Sequence, residues 1–420
     1  MTERHKRKSF LSRLGPGLIT GAADDDPSGI GTYSQVGAQF GYGLSWSLLF
    51  SLPFMTVIQD VAAQIGSVTG RGIAANLRRH YPRRLLWAAV LLLLVANVIN
   101  LGADLSAMGA AMQLLLGGEV MAYTIGFGLV CVLLEIFLSY SRYAAVLKFT
   151  TLSLFAYVAV VFTVHLPWGE AVHSLLVPRV EWTAAFATGF VAILGTTISP
   201  YLFFWQAAQE IEEERRTHAK PLHVTPRRAP AEFARIRQDT LVGMIFSNLV
   251  AVFIVFAAAA TLHAHGVTTI ETAAQAAQAL EPVAGRFAFV LFAAGIIGTG
   301  MLAVPVLAGS AAYAVSEMVG RSPSLDSRLR EARIFYGAIA ATTLAGALLQ
   351  YVGLNPVRAL YWSAVINGVL AAPLMALMML IVRNPKAMGK LVAGPVQTRL
   401  GWAATAVMAV ATALFFVSLF

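Results

Sequence analysis

The 420-residue chain contains a single cysteine, Cys131, and few charged residues. One cysteine excludes a disulfide within the chain and any metal cluster held by several cysteines. The charged fraction is 12% and the hydrophobic fraction is 58%, whereas soluble domains carry about 25% charged residues. The histidines show none of the spacings of zinc sites. We therefore expect an integral membrane protein that is not an enzyme and holds no permanent cofactor.

The charges that are present are mostly positive, with a net charge of +9 and a pI near 9.8. Binding to nucleic acid needs basic residues gathered on one soluble face, but here they fall in short segments between apolar runs. The first 13 residues are basic and polar, and the pattern predicts no cleavable signal peptide. The partner that the charges indicate is the lipid bilayer, with no nucleic acid and no obligatory protein partner.

Runs of about 20 apolar residues predict an all-α protein with eleven membrane spans and no strands. The spans fall near residues 14–40, 44–69, 85–111, 119–139, 143–165, 183–210, 238–264, 285–319, 332–350, 354–382 and 400–419. If the N-terminus is cytoplasmic, 26 of the 30 lysines and arginines lie in cytoplasmic segments. The positive-inside rule thus predicts a cytoplasmic N-terminus and an extracellular C-terminus, in what we expect to be a prokaryotic plasma membrane.

The first and sixth spans each contain a polar interruption that includes proline, at residues 23–29 and 196–200. Proline lacks the backbone N–H and clashes with the preceding helical turn, so each of these spans should consist of two half-helices. Five spans is an odd number, and a second set of five therefore begins on the opposite side of the membrane. This is the arrangement of an inverted repeat, in which broken helices meet at the midplane.

The inverted repeat predicts a division of the chain into segments. The first repeat covers 14–165, and the second covers 183–382 with a cytoplasmic loop at about 211–237. Residues 1–13 form a cytoplasmic segment, and 400–419 form an additional helix outside the repeat.

Asp26 is the strongest candidate for binding an ion. It lies a dozen residues into the first span, or ~18 Å along a helix, near the centre of a ~30 Å hydrocarbon layer. Ionisable groups at that depth mark an ion or substrate path, and the unwound backbone near Ala23 frees carbonyl groups that can bind a cation. The alternative is that an aspartate only caps the following half-helix. Asp24 and Asp25 are weaker candidates because three adjacent carboxylates do not all stay ionised.

The second break offers the oxygens of Thr196 and Ser199. A half-helix ends there, so its negative dipole end favours a cation; the alternative is that the hydroxyls bond only to their own helix. Asp104 and Asn367 also interrupt apolar spans. Each can line an ion path or form a structural hydrogen bond between helices. Our hypothesis is a cation site between the two breaks.

Several motifs resemble the Nramp family of divalent metal transporters. They are Gly15-Pro16-Gly17, Asp26-Pro27, Gln35 with Gly37-Ala38, the second-span residues Gln59, Ala62-Ala63, Gly66 and Val68 to Arg71, and the stretch from Gly195 to Pro200. The likeness covers the first ten spans. It implies a LeuT-type fold of two inverted five-helix repeats, with helices 1 and 6 broken, that transports divalent cations by alternating access.

Departures from the family motifs concern the substrate. The family's Asp-Pro-Gly-Asn is Asp26-Pro27-Ser28-Gly29 here, and its Met-Pro-His is Ser199-Pro200-Tyr201. The metal-binding aspartate is kept, whereas the thioether is missing. Oxygen ligands and water suit Mg²⁺, and sulfur favours transition metals. The chain thus resembles the Nramp-related magnesium transporter branch more than the manganese and iron branch.

Other departures concern proton coupling. Tyr201 and Gln206 occupy positions where the family has histidines, and Ala107 occupies the position of a glutamate three residues after the third-helix aspartate. Without those groups, we expect transport that is weakly coupled to protons or uncoupled.

The sequence thus predicts a secondary transporter of Mg²⁺ that also passes Mn²⁺. The alternatives are a proton-coupled Mn²⁺/Fe²⁺ importer, an amino-acid symporter, and a membrane sensor without transport. The residues expected to hold the transported ion are Asp26, Ala23, Gly29, Thr196 and Ser199, and those that can line its site or pathway are Asp25, Tyr201, Gln206, Asp104 and Asn367.

Overall fold

The computed structural model describes residues 16–137, 154–321 and 329–419. The described residues form helices joined by short connections, with no strand among them. The α-helices are α1 Pro16–Asp24, α2 Pro27–Phe40, α3 Ser45–Thr69, α4 Ile73–His80, α5 Arg83–Leu116, α6 Val120–Phe137, α7 Phe155–Thr163, α8 Trp168–Leu176, α9 Ala184–Thr197, α10 Pro200–Arg216, α11 Ala229–Thr261, α12 Ala273–Gln278, α13 Glu281–Ala284, α14 Ala288–Met318, α15 Arg333–Leu348, α16 Pro356–Val382, α17 Pro385–Met388 and α18 Pro395–Ser418. Short 3₁₀ turns cover Pro226–Arg228, His263–His265, Gly285–Phe287 and Leu349–Val352.

Within these described ranges, nine helical segments are long and apolar enough to cross a membrane. They correspond to the second, third, fourth and sixth to eleventh of the expected spans. The first expected span is present as the shorter helices α1 and α2. The fifth, at 143–165, is described only from residue 154 onward, and the total of eleven therefore remains a prediction.

Both expected helix breaks are present. Helix α1 ends at Asp24, and α2 begins at Pro27 with Asp26 in an extended conformation before it. In the second break, α9 ends at Thr197 and α10 begins at Pro200. Each proline occupies the first position of a helix, where its missing N–H costs nothing because that group would have no helical partner.

The packing of the broken helices follows the expected repeat. Helix α2 packs on α11, which is the seventh span, and α10 packs on α3, which is the second. A two-fold axis between the halves would relate the first span to the sixth and the second to the seventh. It would therefore exchange these two packed pairs. The fold is thus an all-α membrane fold built from two inverted halves, with the first and sixth spans broken.

Glycines bring α1 close to α11. A Cβ on Gly21 would collide with the carbonyl of Gly243, and a Cβ on Gly17 would lie 2.6 Å from the backbone nitrogen of Thr240. Only residues without a side chain allow backbones to approach this closely, as in other helix contacts within membranes. Helix α1 therefore lies directly on the backbone of α11.

The helices that flank the predicted loop at 211–237 extend further than expected. Helix α10 continues to Arg216 and α11 begins at Ala229. Arg216 pairs with Glu213 at 2.7 Å, a spacing of three residues that supports a helix. The connection is also attached to the end of α3, since the amide of Leu222 donates to the carbonyl of Ser67 at 2.9 Å.

Candidate ion site at the helix breaks

The carboxylate of Asp26 lies between the two helix breaks. Its Oδ1 accepts hydrogen bonds from the Gly29 amide at 2.6 Å and from the Ser28 hydroxyl at 2.8 Å. These bonds cap the N-terminus of α2, which is the structural alternative considered for this residue. The second oxygen, Oδ2, is not used by the cap and faces α5 and α10.

Residues of the second break lie next to this oxygen. Tyr201, in the first turn of α10, has its hydroxyl 3.0 Å from the Ala23 carbonyl oxygen and 3.2 Å from Asp26 Oδ2. The hydroxyl has one hydrogen to donate and can donate to either oxygen. On the other side, a Cβ on Gly29 would lie 3.2 Å from Thr196 Oγ1. The two breaks are therefore in contact.

Helix α5 adds Asn100 and Asp104 to the site. The Asn100 amide lies 3.1 Å from Asp26 Oδ2 and 3.2 Å from Asp104 Oδ2. Its own Oδ1 accepts from Asn367 on α16 at 3.0 Å. Asp104 in turn accepts from the backbone amide of Ser28 at 3.1 Å. Asp104 and Asn367, the two candidates that interrupt apolar spans, thus both join the site through Asn100. Asn100 was not among the predicted site residues.

Asp24 and Asp25 are both 1% exposed and share one hydroxyl donor. Ser247 Oγ lies 2.7 Å from Asp24 Oδ2 and 3.2 Å from Asp25 Oδ1. Asp24 Oδ1 and Asp25 Oδ2 have no hydrogen-bond partner in the described part of the chain. Buried oxygens without a partner are costly, so a proton or a cation beside these two oxygens would be stabilised. Ser247 was not predicted, and its only sequence signal is a hydroxyl within the apolar seventh span.

Two candidates make other contacts. The Ser199 hydroxyl donates back to the carbonyls of Gly195 and Thr196, each at 2.9 Å. Gln206 lies further along α10 and bonds to Thr20 and to Glu210. The structure therefore places seven of the candidates together, namely Asp26, Ala23, Gly29, Thr196, Tyr201, Asp104 and Asn367. Gln206 lies further along α10, where it bonds to α1 through Thr20.

The atoms at the site that could bind a metal are mainly oxygens, and they are buried. Asp26 is 2% exposed and Asp104 is 0% exposed. No three histidine, cysteine, aspartate or glutamate side chains converge as a metal-binding group within the described residues. A metal held here would bind at most two carboxylates, together with carbonyl and hydroxyl oxygens, which are ligands of hard divalent cations.

The fold and the site define a class, that of membrane transporters with paired broken helices. Among solved structures, the chain is similar to an Eremococcus coleocola manganese transporter in complex with an aromatic bis-isothiourea substituted compound. The TM-score is 0.77 at 16% identity, covering 100% of this chain and 88% of that one. Mhp1, a nucleobase-cation-symport-1 family transporter, is also similar, with a TM-score of 0.59 at 14% identity over 96% of this chain and 92% of the other. These likenesses show the LeuT-type fold.

Sequence comparison then identifies the family. The model of the Nramp family, described as natural resistance-associated macrophage protein-like, matches residues 17–418. The divalent metal cation transporter MntH of Klebsiella pneumoniae subsp. pneumoniae is 26% identical over 418 residues, which covers 97% of this chain and 94% of that protein. The chain belongs to the Nramp family, as its motifs predicted.

Proposed function

We propose that this protein moves a divalent metal ion across the membrane by alternating access, with the ion bound between the two helix breaks. One observation carries the proposal: Asp26 Oδ2 and the Ala23 carbonyl oxygen both lie within 3.2 Å of the Tyr201 hydroxyl oxygen. A buried carboxylate beside unwound backbone is the arrangement by which broken helices bind cations. Family membership supports the same class of substrate.

Mn²⁺ is the first substrate that we propose. The relatives named above are a divalent metal cation transporter and a manganese transporter. These names favour the metal substrates of the alternative in the sequence analysis, the proton-coupled Mn²⁺/Fe²⁺ importer of the Nramp type, over the preference for Mg²⁺. The comparisons give that preference no specific support.

Mg²⁺ remains a second candidate because of the ligands at the site. The groups that bond to the Asp26 carboxylate are the hydroxyls of Ser28 and Tyr201, the Asn100 amide and a backbone N–H. None of these groups contains sulfur, the ligand atom that favours transition metals over Mg²⁺. An oxygen-rich site can bind Mn²⁺ and Mg²⁺ alike, since both accept carboxylate, carbonyl and water ligands.

The ion must enter through a rearrangement. Asp24, Asp25, Asp26 and Asp104 are each at most 2% exposed, so an ion from either side could reach these acids only after neighbouring groups move. Because the half-helices of each pair are separated by nonhelical residues, one half can move while the other stays packed. We propose that such movements open the site first to one side of the membrane and then to the other.

Uptake into liposomes tests this function. Purified protein should carry Mn²⁺ down its gradient, and millimolar Mg²⁺ added outside should reduce the rate if both ions share the site. Asp26→Asn should abolish uptake because it removes the charge that binds the ion. Asp60→Asn is the matched control, since Asp60 is another buried acid but bonds to Gln64 and Gln397.

The possible results separate the hypotheses. Wild-type uptake in Asp26→Asn would remove the site assignment but not the transport function. A wild-type protein that moves neither ion yet binds one would favour the sensor alternative. Uptake of Mg²⁺ that exceeds that of Mn²⁺ would restore the original preference for Mg²⁺.

A further inference from the structure

A basic cavity of 510 Å³ lies at one end of the helix bundle. It is formed by the ends of α3, α10 and α14 together with the short helix α4. The part of α10 that lines it is about two to four turns beyond Pro200, so the cavity is separate from the site at the helix breaks. Six arginines line it: Arg71, Arg78, Arg79, Arg83, Arg215 and Arg321.

The two acids in the same lining already have partners. Glu317 accepts hydrogen bonds from the backbone amides of Gly72 at 2.9 Å and Ala75 at 3.1 Å, and it thereby caps the N-terminus of α4. Glu212 lies 3.3 Å from Arg215 Nη1 and accepts from the Tyr313 hydroxyl at 3.0 Å. Even with both acids ionised, six arginines against two acids leave a net positive charge in the lining.

Five of the six arginines have no acid partner in the part of the chain that the structure describes. They are Arg71, Arg78, Arg79, Arg83 and Arg321. Two of them, Arg71 and Arg79, also line a neighbouring cavity of 180 Å³ that contains His80, His223 and Lys386. The positive charge is thus concentrated over two adjoining cavities.

The backbone holds part of this arrangement in place. Gly320 has a left-handed φ of +87°, and a Cβ at this position would collide with the guanidinium group of Arg78. The glycine therefore lets the chain turn at the end of α14 and lets the guanidinium group lie against the backbone. The contact with Gly320 therefore holds the guanidinium group of Arg78 at the wall of the cavity.

Like charges crowd one another here. Burial, and after it the charge of Arg79, lowers the pKa of Arg71. Burial together with the charges of Arg79, Arg71 and Lys386 lowers the pKa of His80. An anion in the cavity would relieve this repulsion, whereas a cation would increase it.

We propose that this cavity binds a phosphate group through Arg71, Arg78 and Arg79. Planar guanidinium groups match the oxygens of a phosphate and form paired, charge-assisted hydrogen bonds with them. The phosphate has two possible sources, a soluble phosphate compound or the headgroup of an anionic lipid. The positive-inside rule predicts that the cavity faces the cytoplasm, where basic groups at the membrane surface meet both.

The first arm of the test uses pyrophosphate and protein freed of lipid in detergent. Calorimetric titration at constant ionic strength should show binding to the wild type. The double variant Arg78→Gln with Arg79→Gln should bind about tenfold or more weakly, because each arginine bond to a charged group contributes strongly. The matched control, Arg84→Gln with Arg227→Gln, removes the same charge from positions outside the cavity lining and should bind as the wild type does.

The second arm uses nanodiscs that contain phosphatidylglycerol or phosphatidylcholine. Native mass spectrometry of protein released from them should show phosphatidylglycerol retained by the wild type and the control, and lost from the double variant. Retention of phosphatidylglycerol with no pyrophosphate binding identifies the source as lipid. Pyrophosphate binding alone identifies it as soluble, and either result supports the proposal.

Two results would overturn it. One is the absence of binding to the wild type in both arms. The other is an equal loss in the double variant and the control, which would show only the attraction of a positive surface. A monodisperse gel-filtration profile for each variant establishes that it is folded, and neither arm depends on metal transport.

Discussion

The carboxylate of Asp26 uses one oxygen to cap α2 and leaves the other facing the second break. The cap fixes the orientation of the group, because the Gly29 amide and the Ser28 hydroxyl both bond to Oδ1. A ligand held in place before the ion arrives loses little conformational freedom on binding. The structural role and the proposed binding role of this residue therefore support each other.

Tyr201→Phe should weaken metal binding without unfolding the protein. The hydroxyl lies next to both the Ala23 carbonyl and Asp26 Oδ2, and an ion bound to those oxygens would lose a neighbouring ligand. The removal of one neutral oxygen should raise the Kd for Mn²⁺ about fivefold, equivalent to about 1 kcal/mol. Isothermal titration of the purified variant measures the change.

Tyr313→Phe serves as the control for this variant. Tyr313 donates to Glu212 at 3.0 Å, far along α10 from the break, and its loss should leave the Kd unchanged. An equal Kd for Tyr201→Phe and the wild type would show that the hydroxyl is not a ligand.

At the scale of helices, the sequence predicts where the first and sixth spans break, but it predicts only part of the contacts between the residues at the two breaks. Pro27 and Pro200 indicate the breaks because each follows polar residues within an apolar span, and proline is unfavourable in a helix interior but accepted at the first position of a helix. In contrast, the meeting of Asn100 with Asp26 depends on how α5 is rotated against α2. Such rotation is set by packing over whole helices, as at the contact of Gly21 with Gly243, and no local pattern indicates it.

The loop at 211–237 shows the same limit. Its prolines and charges predicted a long connection, whereas α10 continues through Glu213 to Arg216. Acidic and basic residues three apart, such as Glu213 and Arg216, stabilise a helix that is exposed to water. Hydropathy therefore located the end of the apolar segment but not the end of the helix.

Helix α1 packs against α11 beside the proposed ion site. The Gly17 amide donates to Asp239 at 2.8 Å, and Thr20 bonds to Gln206 on α10. Gly21 permits the closest approach, at Gly243. These contacts must separate if α1 moves to open the site.

Gly21→Val should displace α1 from α11 and expose the surface beneath it. In a Cys131→Ser background, Thr240→Cys provides a reporter that is 1% exposed in the closed structure. We expect its reaction with a water-soluble maleimide to become several-fold faster in Gly21→Val, because the valine side chain cannot fit against the Gly243 carbonyl. Labelling rates of purified protein measure this.

Gly126→Val is the matched control, since a Cβ at Gly126 meets no other group. It should not change the labelling rate of the reporter. If Gly21→Val also leaves the rate unchanged, α1 is not the helix that covers Thr240.

At the scale of the whole molecule, the distribution of positive charge predicts the orientation in the membrane. The connection at Thr217 should face the cytoplasm, and that at Thr269 should face outward. In the Cys131→Ser background, an impermeant maleimide added to intact cells should label Thr269→Cys at once and Thr217→Cys only after lysis. The reverse pattern would invert the predicted topology.

Proton coupling is the remaining property of the whole transport cycle, and we expect it to be weak. Tyr201 and Gln206 do not change charge near neutral pH, unlike the family histidines at their positions, and Gln206 is bonded to Thr20 and Glu210. Mn²⁺ entering liposomes down its own gradient should therefore cause little change in a pH-sensitive dye trapped inside. A proton flux in fixed ratio to metal uptake would contradict this prediction. If such a flux were observed, we would expect the buried acids Asp24 and Asp25 to carry it, since each has one oxygen without a hydrogen-bond partner in the described part of the chain. Asp24→Asn with Asp25→Asn should then remove the proton flux.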